Sequence, residues 1–201
     1  MSGRIFRPFA IGPFTIIPAG EPAGLGCGIP LVLGKMGAFG SGEHETTVAC
    51  LGEMARLPIV KGATILDLGS GTGILAIAAA RLGALHAVAL DNDWRAALSC
   101  ADNVRLNGME GRVATVCGEL SALAATSFDL VLANIYADIH LALAPEMVAM
   151  TRPSGYLILS GIPLQDKYDV QQRFLRAGCA LVDSRIGEEY VTFVMRKTLQ
   201  I

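Results

Sequence analysis

The chain has 201 residues, 52% of them hydrophobic and 17% charged, enough for one compact domain with a sizeable core. Lys+Arg 16 against Asp+Glu 18, with no basic run, leaves no electrostatic footprint for an extended nucleic acid. No apolar run is long enough for a helix to cross a bilayer, and the first residues lack the apolar core of a signal peptide.

Cysteines at 27, 50, 100, 117 and 179 form no C-x-x-C pair. That argues against a disulfide framework or structural zinc and fits buried thiols in the cytosol. Up to about Leu33 the chain is rich in Pro and Gly, with β-prone pieces at 5–9, 14–18 and 29–33, read as an irregular segment holding a hairpin or two. A glycine-rich stretch, Gly37-Ala-Phe-Gly-Ser-Gly-Glu-His-Glu-Thr-Thr47, leads into a helix predicted over 45–56. Its acids and hydroxyls suit the unpaired N–H groups of a helix start. Glu43, His44 and Glu45 are adjacent and point in different directions, so they converge poorly on a metal.

From Ala63 onward strands and helices alternate. Strands are expected at 64–68, 86–90, 112–117, 128–133 and 155–160, and helices at 74–82, 94–107, 139–150 and 167–177. Pro145 lies inside the third of these helical patterns, where a kink or break is expected. Apolar strands joined by helices make a parallel sheet covered on both faces, with its ligand at the carboxyl ends of the strands. The last two strands, 179–186 and 190–196, are joined only by Gly187-Glu188-Glu189 and must pair as an antiparallel hairpin. The organisation expected is residues 1–44 as an irregular and β segment with a covering loop, and 45–201 as the catalytic part of a single compact unit.

Two motifs carry chemistry. Asp67-Leu68-Gly69-Ser70-Gly71-Thr72-Gly73 leaves the first alternating strand and opens a helix, and Asp91 ends the second strand where an acid reaches the hydroxyls of a ribose. Gly71 to Ala76 also satisfies the dinucleotide pattern G-x-G-x-x-A, so the loop alone does not exclude a nicotinamide cofactor. Asp67 would repel a pyrophosphate but could receive a ligand ammonium. The second motif, Asn134-Ile135-Tyr136, stands at the carboxyl end of the fourth strand, facing the ligand crevice. It resembles the Asn or Asp followed by Pro-Pro-Tyr of amino-methylating enzymes, with Ile135-Tyr136 instead, and that resemblance implies that the Asn134 side-chain oxygen orients an attacking amine.

An acid, G-x-G-x-G and a second acid after the next strand resemble the Rossmann-like, class I S-adenosylmethionine-dependent methyltransferases. The resemblance implies an α/β fold with a mostly parallel seven-stranded sheet and a terminal antiparallel hairpin. Ala38 to Thr47, Ile65 to Ala79, Asp91-Asn-Asp93, Asn103 to Gly108, Ala133 to Ala137, Leu143-Ala-Pro145 and Leu157 to Ile162 together resemble the bacterial PrmA family. That family methylates lysine and N-terminal amines on a protein of the large ribosomal subunit. The usual Asp-x-Asp-Pro is Asp91-Asn-Asp-Trp94 here, which keeps the acid.

The resemblance implies S-adenosylmethionine as cofactor, held by Phe39, Gly40, Thr46, Thr47, Asp67, Gly69, Gly71, Gly73, Asp91, Asn92, Asn134 and Ile135. Asn134 and Tyr136 are then the catalytic candidates, with no metal. Phe39 would lie in a loop covering the same ligand. The implied partner is a protein substrate, without direct nucleic-acid or membrane contact. The family's N-terminal substrate-recognition domain is expected to be missing from this sequence. A small-molecule amine methyltransferase and a non-catalytic cofactor-binding protein are the alternatives.

Overall fold

The computed structural model of the chain describes residues 7–21, 28–34, 42–123 and 126–199. Three N-terminal strands, β1 (Phe9–Ile11), β2 (Phe14–Pro18) and β3 (Ile29–Leu33), form a small sheet. β1 and β2 make one hairpin through Gly12-Pro13, and β3 runs parallel to β2 rather than closing a second hairpin. β1 begins at the last residue of the 5–9 piece expected, of which residues 5 and 6 lie outside the described residues. Buried Phe14, Ile16, Leu31 and Leu33 turn this sheet onto the core of the main body.

The main sheet has seven strands: β4 (Thr64–Leu68), β5 (His86–Asp91), β6 (Val113–Cys117), β7 (Phe128–Asn134), β8 (Thr151–Pro163), β9 (Cys179–Ile186) and β10 (Tyr190–Lys197). Their order is β6-β5-β4-β7-β8-β10-β9, parallel from β6 to β8, with β10 antiparallel to both β8 and β9. The helices are α1 (Glu45–Arg56), α2 (Ile74–Arg81), α3 (Trp94–Leu106), α4 (Ala137–Met150) and α5 (Lys167–Arg176). Ile74 to Ala80 is buried throughout, as a continuous apolar run beneath other elements must be. The order reverses at β4, which lies between β5 and β7, and that reversal opens a crevice at the strand ends.

Several departures from the expected elements have local causes. α4 is continuous through Pro145. Proline withdraws the N–H that would bond the Leu141 carbonyl. Arg173 Nε from α5 donates to that carbonyl at 3.0 Å instead, so no break is needed. β8 starts four residues before the predicted strand, because the β7 pairing reaches Thr151. Cys50, Cys100 and Cys179 are buried as expected, but Cys117 is exposed, since it ends the edge strand β6.

Asn103 of α3 and Asn107, its C-cap, join the small sheet to the main body. Asn107 Oδ1 accepts from Val32 N at 2.9 Å while its Nδ2 donates to Val32 O at 2.7 Å, so the amide imitates a neighbouring strand. Asn103 Oδ1 accepts from Gly34 N at 2.7 Å, and its Nδ2 donates to Thr72 O at 2.8 Å in the glycine loop. Buried backbone groups at a sheet edge and in a loop need such partners.

Candidate active site

At the carboxyl ends of β4, β5 and β7 lies a cleft of about 1200 Å³. Gly69, Gly71, Asp91 and Asn92 line one end with Glu119, Leu120 and Ser121, over the apolar Leu68 and Leu90. His44, Thr46, Asn134, Gly161 and Tyr190 line the other, with Ile135 and Tyr136 between α4 and the strand ends.

The glycine loop is shaped by backbone bonds. Gly69 N and Ser70 N donate to Leu90 O at 2.8 and 3.1 Å. Gly69 (φ +70°) is left-handed, and a Cβ there would lie 2.5 Å from Ile135 Cγ2. Gly73 (φ +77°) caps α2, and a Cβ on it would overlap Cys100 Sγ. These two positions need glycine for conformation and for close approach at once. Asp91 Oδ2 accepts from Gly71 N at 2.8 Å and Oδ1 from Asp93 N at 3.0 Å. Each oxygen keeps lone-pair capacity beyond these bonds.

Asn134 Nδ2 donates to Thr47 Oγ1 at 3.4 Å. Asn134 Oδ1 is buried and has no hydrogen-bond partner among the described residues. A Cβ on Gly161 would fall 3.1 Å from that oxygen and 2.5 Å from Ile135 O, so Gly161 (φ +78°) leaves space beside both acceptors. The turn that follows is braced from below. Ser160 O accepts from Ile135 N at 3.2 Å and from His140 Nε2 at 2.9 Å. Tyr136 is 76% exposed at the mouth of the cleft.

Thr46, Gly69, Gly71, Asp91, Asn92, Asn134, Ile135 and Tyr136 therefore meet in one cleft. Thr47, Asp67 and Gly73 stand behind its wall: Thr47 supports Asn134, and Asp67, 1% exposed, accepts from Ala76 N at 3.0 Å. Phe39 and Gly40, with the covering loop expected around them, lie outside the described residues.

His44, Gly161 and Tyr190 are lining residues that sequence reasoning passes over. His44 caps α1: its Nδ1 receives Thr46 N at 3.4 Å and pairs with Thr46 Oγ1 at 2.8 Å. The cap is thus the imidazole rather than the neighbouring acids. Only Gly161 carries a sequence signal, a glycine at the carboxyl end of a strand.

Asp67 and His140 have acidities displaced by burial. Burial pushes the Asp67 carboxyl up from 3.8 to about 7, against the Ala76 hydrogen bond and with help from Asp91. Burial also lowers His140 from 6.5 to about 4, against its bond to Ser160 and the Asp138 charge. Below pH 6.5 the unfolded chain binds a proton at His140 that the folded chain refuses, so stability falls as pH drops toward 4. Asp67 acts in the opposite sense: the folded state keeps its proton up to about pH 7, and stability falls as pH rises from 3.8 to there. Each slope is about 1.4 kcal/mol per pH unit, and the two oppose each other in the acidic range. Asp67→Asn should leave the His140 slope alone. Urea unfolding at pH 4.5 and 6.5 is expected to show a larger acid loss in the variant than in wild type, and equal losses would refute the assignment.

The family model described as ribosomal protein L11 methyltransferase (PrmA) matches residues 2–198. The chain belongs to the ribosomal protein L11 methyltransferase family. The match takes in the small N-terminal sheet as well as the main body. The L11 methyltransferase of Pelotomaculum thermopropionicum is 46% identical over 125 residues, which is 62% of this chain and 40% of that protein. The Pelobacter propionicus L11 methyltransferase is 37% identical over 198 residues, 96% of this chain and 64% of that one. Across such curated members of the family, the chain spans 40% to 64% of their length.

The crystal structure of the ribosomal protein L11 methylase from Lactobacillus delbrueckii subsp. bulgaricus superposes with a TM-score of 0.86 at 26% identity, covering 96% of this chain and 100% of that one. The Thermus thermophilus 16S rRNA N2 G1207 methyltransferase, solved with AdoMet and guanosine, shares the fold at TM-score 0.67 and 24% identity over 80% of this chain and 45% of its own. The architecture of this L11 methyltransferase family member is thus the Rossmann-like class I methyltransferase fold, with its antiparallel terminal hairpin.

Proposed function

We propose that the chain is an S-adenosylmethionine-dependent N-methyltransferase acting on amino groups of a protein, lysine above all, with a ribosomal L11 protein as the substrate its relatives' names suggest. The observation that carries this reading is Asn134 Oδ1, a buried acceptor without a hydrogen-bond partner among the described residues, in the same cleft as Asp91. A buried acceptor left bare is costly unless a ligand donor completes it. The residues fit the cofactor: an acid with two oxygens for vicinal hydroxyls, apolar Leu68, Leu90 and Leu120 for a flat base, and Gly69 allowing close backbone approach.

S-adenosylmethionine supplies an electrophilic methyl group together with its own leaving group. Asp91, beside Asn92, would accept from the ribose, and Gly69 and Gly71 would form the floor. Asn134 Oδ1 accepts an N–H of the acceptor amine and so aims its lone pair into the cleft. The Ile135 carbonyl is a second acceptor beside it. The apolar lining favours the neutral amine, which can attack. The methyl would pass to the amine with the cofactor's thioether as leaving group, and the methylated ammonium would give its proton to water. Tyr136 borders the entrance, and Thr46 and Thr47 stand on the α1 side. Asp67 acts from behind by holding the start of α2. A cytosolic place of action belongs to the same reading. Among the described residues no helix is long and apolar enough to cross a membrane.

The test is transfer of labelled methyl from S-adenosylmethionine to purified L11 and to a cell lysate, followed by mapping of the label. Label on lysine or N-terminal amines of a protein supports the reading. Label confined to low-mass products, or tight cofactor binding without transfer, overturns it.

A further inference from the structure

The Glu43-His44-Glu45 cluster finds its use at the wall of the cleft. Glu45 Oε2 accepts from Glu188 N at 2.7 Å, and Glu45 Oε1 from Glu189 N at 3.0 Å. One carboxylate thus holds both central amides of the turn that joins β9 to β10. The next residue, Tyr190, lines the cleft and meets the His44 ring edge to face, with centroids 5.2 Å apart. The start of α1 and the tip of the terminal hairpin, far apart in sequence, are therefore clasped into one unit.

This unit stands at the Asn134 end of the cleft. Thr47, three residues after the cap, receives the Asn134 amide. Ser160, the neighbour of Gly161, bonds Thr192 Oγ1 at 2.6 Å and reaches Thr46 O at 3.5 Å. Asp91 and the glycine floor belong to different elements at the other end. Opening the clasp would therefore disturb the place where the amine docks and leave the ribose end as it is.

We propose that Glu45 is a positioning residue for the acceptor: by holding the turn it sets Tyr190 against His44, and these two rings are the wall along which the acceptor side chain reaches Asn134. The inference rests on the methyltransferase reading above. Glu45→Ala frees the two amides and lets the ring pair part. Glu45→Gln keeps one side-chain oxygen as acceptor and puts a second donor against the other amide.

The experiment measures methyl transfer to L11 at saturating cofactor, with cofactor Kd by calorimetry, for wild type, Glu45→Ala, Glu45→Gln, Tyr190→Ala and the Glu45→Ala/Tyr190→Ala double variant. Glu45→Ala is expected to raise the acceptor KM about tenfold while kcat and cofactor Kd change less than about threefold, with Glu45→Gln between it and wild type. The double variant is expected to match Tyr190→Ala alone, because residues that act through one contact are not additive. A parallel loss of cofactor affinity, additive effects, or an unchanged KM in the conservative and alanine variants alike would overturn the proposal. Failure of wild type to methylate any amine would instead remove the methyltransferase reading, and this inference with it.

Discussion

Asn134→Ala is expected to lower kcat for methyl transfer by about 100-fold or more while cofactor Kd stays within about threefold. The expectation follows from the geometry of the amide. Its nitrogen donates to Thr47, and its oxygen is buried beside Gly161 without a hydrogen-bond partner among the described residues. Alanine removes the acceptor and leaves the rest of the turn in place, because Ser160 O and His140 hold the following backbone. The amine would then enter the cleft without a fixed lone-pair direction, and misplacement of a reacting group is enough for a loss of this order. Asn134→Asp is a useful companion: it keeps an oxygen but exchanges the donor to Thr47 for a second acceptor. Single-turnover transfer and calorimetric cofactor binding separate the two quantities. Unchanged turnover in the alanine variant would take Asn134 out of the mechanism.

Asp91→Ala should act on the other quantity. Each carboxylate oxygen already accepts one backbone N–H, from Gly71 and Asp93. The side chain therefore shapes the glycine floor and, in the proposed complex, the ribose contact as well. Hydrogen bonds to a charged group are worth about 1.5–3 kcal/mol each, so loss of the ribose pair alone predicts cofactor binding weaker by a factor of about 100 or more. Asp91→Asn keeps one acceptor oxygen and should fall between the two. Cofactor titration by calorimetry reads this directly. An affinity within about threefold of wild type in Asp91→Ala would place the cofactor elsewhere in the cleft.

The two variants also separate the halves of the site that are legible in different degrees. Asp91 and the glycines can be read from the chain because a parallel βαβ unit puts the end of one strand beside the loop after its neighbour. Asn134 can be read for the same reason, since a strand end in such a sheet faces the crevice. The turn residues cannot. In the sequence His44 reads as part of a charged cluster, and only the tertiary structure shows it as a helix cap packed against Tyr190. Gly161 becomes meaningful once its place beside the Asn134 oxygen is known. Asp67 is expected near the ligand, yet its carboxylate faces the start of α2 and is fully shielded. A residue at a strand end can turn toward the crevice or toward the helix, and spacing does not distinguish these.

Periodicity, glycines and strand-end acids by themselves determined an alternating α/β chain, its cofactor-loop candidates, the hairpin at its end and the bounds of elements such as β2, β3, α1 and β4. These are local properties, set by side chains within one strand or one turn of helix. Tertiary structure decided what depends on distant partners. Arg173 lets α4 run through Pro145, Asn107 ties β3 to the end of α3, and Asn103 ties Gly34 to the glycine loop. Glu45 closes on a turn more than a hundred residues away, a contact that exists only because β10 inserts between β8 and β9. A hydrogen bond needs both ends in place, and no single stretch of sequence holds both.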